Sequence, residues 1–206
     1  RQQIRCLLVL TGLPTLFPNL VETRTYAERM FHSMILKRLS QDESREAILI
    51  PIQKDNCPVS LSKELIDLII KYSGGYPYFI QYICKEVYDS YLQQLAMDNK
   101  VTPVVNLDDV FRKLDNDFYQ GRWNRLTDRQ RELLLIIARL TNAEDEFTIK
   151  EIEAESRKTS SPFKTSPINL MLKSLTDAGL IYKNRHGKYS FAVPMFSHFI
   201  KRELED

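Results

Sequence analysis

The seven residues Ser73-Gly74-Gly75-Tyr76-Pro77-Tyr78-Phe79 constrain this chain more than any other stretch. Two adjacent glycines open backbone conformations that side chains with a Cβ avoid. Pro77 fixes φ for a first helical turn, where its missing N–H is no loss. After it, apolar residues recur in pairs four apart: Phe79/Ile80, Ile83/Cys84, Val87/Tyr88 and Tyr91/Leu92. That spacing predicts a helix with one buried face. A glycine pair before a helix N-terminus also presents free N–H groups and a positive dipole end at a point of close approach, which suits a phosphate or a purine nucleotide. A plain corner between two helices is the simpler reading, and on this stretch alone both stand.

From the other end, residues 4–10 form a near-continuous apolar run that ends at Thr11-Gly12. Such a run suits a strand buried on both faces of a parallel sheet. No comparable run follows before the glycine pair. No G-x-x-x-x-G-K-[ST] loop occurs, nor an apolar strand ending in paired acids. The expectation is a C-terminal part of a longer protein, whose N-terminal piece holds the rest of the sheet and the main phosphate-binding machinery. Gly12–Pro18 reads as a loop, Thr25–Phe31 as a helix and Ser33–Leu36 as a short strand. Ser40, with Glu43 at the capping-box position, opens a helix near 41–49. Lys54–Ser60 is a loop, Ser62 caps a helix through Tyr72, and Asp108–Phe118 is helical. Gly121 is expected to break the chain there.

Residues 123–206 follow another plan. Thr127 and Thr148 cap two helices, and a third runs from Pro167 to Ala178 with Gly179 as its stop. Leu180–Lys183 and Lys188–Val193 alternate as strands around Asn184-Arg185-His186-Gly187, and a terminal helix follows Pro194. Three helices and a hairpin in this order are the winged helix-turn-helix pattern. Positive charge concentrates here: residues 157–193 hold Arg157, Lys158, Lys164, Lys173, Lys183, Arg185 and Lys188 against one acid, Asp177. Lys164, Lys173, Lys183, Arg185 and Lys188 are therefore candidate DNA phosphate contacts, with Asn169 the one base-reading side chain beside Lys173 on the third helix. A protein-docking winged helix with a merely solvated basic face is the alternative.

Ser73–Ile83 resembles the lid motif (Gly-x-Pro, the sensor-2 region) of AAA+ and STAND-type ATPases. Ile4–Pro14 is similar to their sensor-1 strand. Ala27–Phe31 with Ile35–Ser40 is similar to the arginine-bearing segment before the lid. With the winged helix, the resemblance covers nearly the whole chain. It implies a mainly α fold with small β content: the remnant edge of a P-loop α/β core over 1–52, a helical lid over 53–122 and a winged helix over 123–206. It also implies Arg29 as an arginine finger, Thr11 as sensor 1, and Gly74, Gly75, Tyr76 and Pro77 lining the nucleotide base and sugar. ATP or ADP with Mg²⁺ would be bound in the full-length protein, with no cofactor expected in this fragment alone. No Arg follows Pro77 within the first helical turn, so the family's sensor-2 arginine is missing.

Composition narrows the setting. The chain is 43% hydrophobic and 27% charged, as in soluble globular proteins, and no apolar run reaches the roughly 18 residues of a membrane span. Cys6, Cys57 and Cys84 form neither a zinc pattern nor a disulfide framework, and three scattered histidines suggest no metal site. A cytoplasmic setting without a membrane partner is expected. The leading expectation is a portion of an ATPase that couples nucleotide state to DNA, similar in layout to origin-recognition initiators. This fragment, without a phosphate loop, is expected to hydrolyse no ATP by itself. The second is a signalling switch whose winged helix docks protein and keeps the nucleotide site closed. The third is an unrelated winged-helix regulator with a helical dimerisation domain.

Overall fold

The computed structural model describes residues 7–12, 16–34, 36–54, 57, 59–97 and 106–203. Over these residues the protein is mainly helical with one two-stranded antiparallel sheet. Among the described residues, no helix is long and apolar enough to cross a membrane. The chain forms two compact units, one of residues 37–131 with 194–206, the other of residues 1–36 with 132–193.

The first unit is built on α3 (Gln41–Lys54), α4 (Lys63–Ser73), α5 (Pro77–Met97) and α6 (Leu107–Leu114). Local capping sets where they begin. Ser40 N–H donates to Glu43 Oε2 at 2.8 Å and Glu43 N–H to Ser40 Oγ at 3.2 Å. These bonds from Ser40 hold the Glu43 carboxyl below its ordinary range. Ser62 Oγ accepts from Leu65 N–H at 3.2 Å, and Asn106 Oδ1 accepts from Asp108 N–H at 3.1 Å. Ile48, Ile66, Ile69, Ile80, Ile83, Val87, Val110 and Phe111 then form a common core. The α5 stripe is narrower than its spacing predicts: Phe79, Ile80, Ile83 and Val87 are buried, whereas Tyr88 and Leu92 face solvent. Helix α3 runs past the expected 49 and through Pro51.

Gly121 does not break the chain. Six residues, Asp115–Gln120, widen into a π-helical segment, and α7 (Gly121–Trp123) follows directly. Gly121 has helical dihedrals, φ −63° and ψ −28°. A glycine with no demand for positive φ only weakens a helix, by about 1 kcal/mol. Packing supplies more than that, because the π-helical segment turns Tyr119 into the interior. Tyr119 and Trp123 meet α11 (Phe196–Arg202): the Tyr119 and Phe199 rings stack at 5.1 Å, Phe196 and Phe199 at 5.6 Å, and Trp123 meets Phe199 edge-on at 6.0 Å. Tyr119 Oη–H donates to Pro194 O at 2.9 Å, and Arg202 Nε–H to Asp115 Oδ2 at 2.8 Å. The terminal helix thus completes the unit that begins at residue 37.

In the second unit the N-terminal apolar run is not a buried strand. Residues 7–12 carry no regular structure, and Leu7, Leu8, Val9 and Leu10 are exposed, Leu7 by 88%. A strand exists only by pairing, and no described residue pairs with this segment. Ile4, Arg5 and Cys6, which open the expected strand, lie outside the described residues. The loop expected over 12–18 gives way to α1 (Leu16–Thr23). Pro18 is compatible with that helix because the N–H groups of a first turn have no intrahelical partner. Helix α2 (Ala27–Met30) falls within the expected 25–31. Ser33, Met34 and Leu36 form no strand, and Ile35 lies outside the described residues.

Residues 132–193 hold the body of α8 (Asp128–Ala138), then α9 (Ile149–Ser156), α10 (Thr165–Asp177), β1 (Ile181–Arg185) and β2 (Lys188–Phe191). Leu133, Leu134, Ile137, Phe147, Ile152, Ile168, Leu172, Leu175 and Ile181 are fully or nearly fully buried. Phe147 forms a two-bond bridge to Tyr189, at 2.8 and 2.9 Å, which adds an edge to the hairpin. Gly179, at φ +70°, ends α10 as expected.

Helix α9 begins with a full capping box. Glu151 N–H donates to Thr148 Oγ1 at 3.3 Å, and Thr148 N–H donates to Glu151 Oε2 at 2.6 Å. The hydrogen bonds from Thr148, with the Asn142 amide and Lys188 adding to them, hold the Glu151 carboxyl below its ordinary range. A lowered folded-state pKa contributes stability above the unfolded value of about 4.3, and that contribution is lost as pH falls through the folded value. Thr148→Ala is therefore expected to lower unfolding free energy by about 1 kcal/mol at pH 7. Urea unfolding should show a smaller difference at pH 3 than at pH 7. A difference independent of pH would mean that Glu151 takes no part.

Candidate functional sites

The Ser73–Pro77 turn is built as a close approach of backbones. Gly74, at φ 59° and ψ 19°, is the left-handed cap of α4, and Gly75 follows at φ +76°. Leu39 N–H donates to Gly75 O at 2.8 Å, which pins the segment before α3 against the turn. Two N–H groups of the turn are already engaged: Tyr76 N–H bonds Ser73 O at 3.1 Å, and Gly75 N–H reaches the buried Ser73 Oγ at 3.4 Å. The turn alone is therefore not an open nest of donors.

What borders the turn is a cleft of about 750 Å³ between the starts of α3 and the end of α4. Among the described residues its walls carry Arg38, Arg45 and Lys71, with Asp67 as the one acid, and Gly74 and Gly75 close one side. Arg45 is ion-paired with Asp67, and Lys71 Nζ lies 5.5 Å from the centre of the Tyr72 ring. Ser44 also lines the cleft, and its buried Oγ has no hydrogen-bond partner. Tyr76 and Pro77, grouped with the glycines by the sequence pattern, are not among the lining residues. The arginine walls were not legible from the turn, since Arg38 and Arg45 stand 29 to 37 positions before the glycines, whereas Lys71 lies in the last turn of α4, beside Gly74. Cys84, on α5, is a poor nucleophile: burial pushes its thiol up to about 11.

Arg29 lies on the four-residue α2 and is exposed, as is Thr11. Both belong to the unit of residues 1–36 and 132–193, whereas Gly74–Pro77 belong to the other.

The basic hairpin is tighter than the sequence predicts. Arg185 pairs directly with Lys188, so the turn is the two residues His186-Gly187, with Gly187 at φ +73°. Asn184 sits in a bulge between Lys183 and Arg185. Its amide donates to Ser190 Oγ at 2.9 Å and to Glu146 Oε1 at 3.1 Å. Arg185 in turn binds Glu146 Oε2 at 2.7 Å. Glu146 therefore stands at the hairpin tip, and the acids of the 144–146 loop are not all segregated from the basic face. A pairing 39 residues apart leaves no periodic signal in the sequence. Lys164 precedes α10 as its extended N-cap residue, and Asn169, Leu170 and Lys173 lie exposed on α10. The Asn169 amide donates to Thr165 O of its own helix at 3.1 Å. Lys183 is exposed and Lys188 half-buried.

Comparison with curated proteins gives no match. Over residues 116–200, from the π-helical segment to α11, the chain is similar to a domain of unknown function, DUF8462.

Proposed function

We propose that this chain is the lid and winged-helix portion of an ATP-binding AAA+/STAND-like ATPase, and that it couples nucleotide state to DNA binding. One observation carries the DNA part. Helices α8, α9 and α10 and the β1–β2 hairpin follow one another in winged-helix order, with Lys164 and Lys173 at the third helix and Lys183, Arg185 and Lys188 on the hairpin. The wing strands hold their three cations within six residues, a spacing suited to successive phosphates. The nucleotide part is supported by the cationic cleft beside Gly74 and Gly75. In this reading Arg29 and Thr11 serve ATP held by a P-loop core, and Mg²⁺ enters with that ATP.

The test is fluorescence anisotropy of the whole chain with duplex DNA across a salt series. Replacing Lys183, Arg185 and Lys188 together by Ala should flatten the slope of log affinity against log salt by about two to three units, at about 0.9 per phosphate contact. Arg185 should contribute least, because it must first leave Glu146. Binding should weaken on all sequences alike, since α10 offers few base-reading groups. Coincident curves, or no wild-type binding at low salt, would favour a protein-docking winged helix. That second reading has its own support in Leu170, which is 72% exposed in the middle of α10.

A further inference from the structure

We propose that Asn184 and Arg185 form one oxyanion cradle at the tip of the hairpin, that Glu146 fills it in the free protein, and that a backbone phosphate of duplex DNA takes its place on binding. The inference rests on the DNA reading above and deepens it. It adds Asn184 to the contact residues and makes Glu146 a gate on the wing.

Three donors converge on one carboxylate. Arg185 Nε–H and Nη2–H donate to Glu146 Oε2 at 3.2 and 2.7 Å, and Asn184 Nδ2–H donates to Glu146 Oε1 at 3.1 Å. A guanidinium on one oxygen and an amide on the other can serve two non-bridging oxygens of a phosphate in the same way. The cradle is also preorganised. The bulge between Lys183 and Arg185 takes Asn184 out of the strand register. The other N–H of its amide is held by Ser190 Oγ at 2.9 Å, and Ser190 is buried in the hairpin.

Glu146 is placed by its backbone rather than by this ion pair. Asn142 Nδ2–H donates to Glu146 O at 2.7 Å. Phe147, the next residue, bridges Tyr189 with two bonds, at 2.8 and 2.9 Å. The loop therefore stays on the hairpin when the carboxylate leaves, and only the side-chain torsions of Glu146 need to change. The Arg185 side chain is 70% exposed and that of Glu146 32%. An ion pair this open is worth little, because water screens it and two long side chains lose freedom to form it. A phosphate can compete for its donors, where a buried pair would resist. The carboxylate and a phosphate cannot share the cradle, since both are anions and need the same three donors. Glu146 thus opposes DNA at the point where Lys183 and Lys188 attract it, and it sets how tightly the wing binds.

Fluorescence anisotropy of the whole chain on a short mixed-sequence duplex at low salt tests this with Glu146→Gln, which keeps the side-chain shape and removes its charge. Binding should tighten by about two- to fivefold, the scale of an exposed ion pair. In an Arg185→Ala background the same substitution should change affinity much less, since the cradle is gone. Adding Asn184→Ala to Glu146→Gln should lose much of the gain. Asp145→Asn controls for net charge alone and should tighten binding less than Glu146→Gln. Thermal unfolding followed by circular dichroism checks that each variant is folded. Binding by Glu146→Gln where wild type shows none also supports the gate. The inference is overturned if wild type binds and Glu146→Gln binds equally or more weakly, the result of an ion pair that only braces the wing. It is overturned too if the gain persists in Arg185→Ala or is matched by Asp145→Asn. If neither wild type nor Glu146→Gln binds, the DNA reading itself fails and the cradle with it, so the two failures are distinguishable.

Discussion

Phe199→Ala should destabilise the unit of residues 37–131 and 194–206 by about 3–5 kcal/mol, the usual cost of emptying a fully buried aromatic site. Phe199 is fully buried and meets three rings, those of Tyr119, Phe196 and Trp123, at 5.1, 5.6 and 6.0 Å. Those rings belong to the π-helical segment, α11 and α7, so the vacated space has rigid walls on several sides. A loss of this size is a large share of the roughly 5–15 kcal/mol that holds a domain folded. Its location is the informative part. By sequence order Phe199 follows the hairpin, but by packing it belongs with residues 115–123. Native-state hydrogen exchange should therefore show lost protection in α5 and the π-helical segment, while the amides of α9 and α10 keep theirs. Lost protection confined to α9 and α10 would assign the terminal helix to the hairpin instead.

Gly75→Ala should cost about 3 kcal/mol or more in urea unfolding, and Gly74→Ala clearly less. Both glycines have positive φ, +76° and +59°, so a Cβ at either position strains the backbone by about 1–2 kcal/mol. They differ in what the Cβ meets. At Gly75 it runs into the Leu39 carbonyl oxygen, which is backbone and is fixed by the bond from Leu39 N–H to Gly75 O. Relief requires moving the whole segment before α3, which adds about 1–3 kcal/mol of overpacking. At Gly74 it meets the Met195 sulfur, part of a flexible side chain that can swing aside. Equal costs at the two positions would mean that the Leu39 contact is soft.

Several features were legible in the residues because their causes are local. The caps at Ser40, Ser62, Thr127 and Thr148 each depend on side chains within three positions of the backbone they satisfy. The helix after Pro77, the stop at Gly179 and the hairpin glycine follow from periodicity and from φ. Loops and breaks were harder to foresee. Pro18 reads as a loop residue until it is placed in a first turn, and Gly121 reads as a break until aromatic packing on either side outweighs its weak helix propensity.

The sequence by itself determined that this is a mainly helical chain with one hairpin, a glycine-built turn before a long helix, and a basic segment over 157–193. Those properties reside in side-chain type and short-range spacing. Only the tertiary structure decided that residues 194–206 return to the unit of residues 37–131, that Glu146 stands beside Arg185, and that Arg38 and Arg45 line one cleft with the glycines. Each of these joins residues tens of positions apart, and such pairs are selected by burial and charge in three dimensions, which no periodicity records. The apolar run at residues 7–10 marks the same boundary from the other side: its composition is that of a strand, but a strand forms only where a partner supplies the ladder.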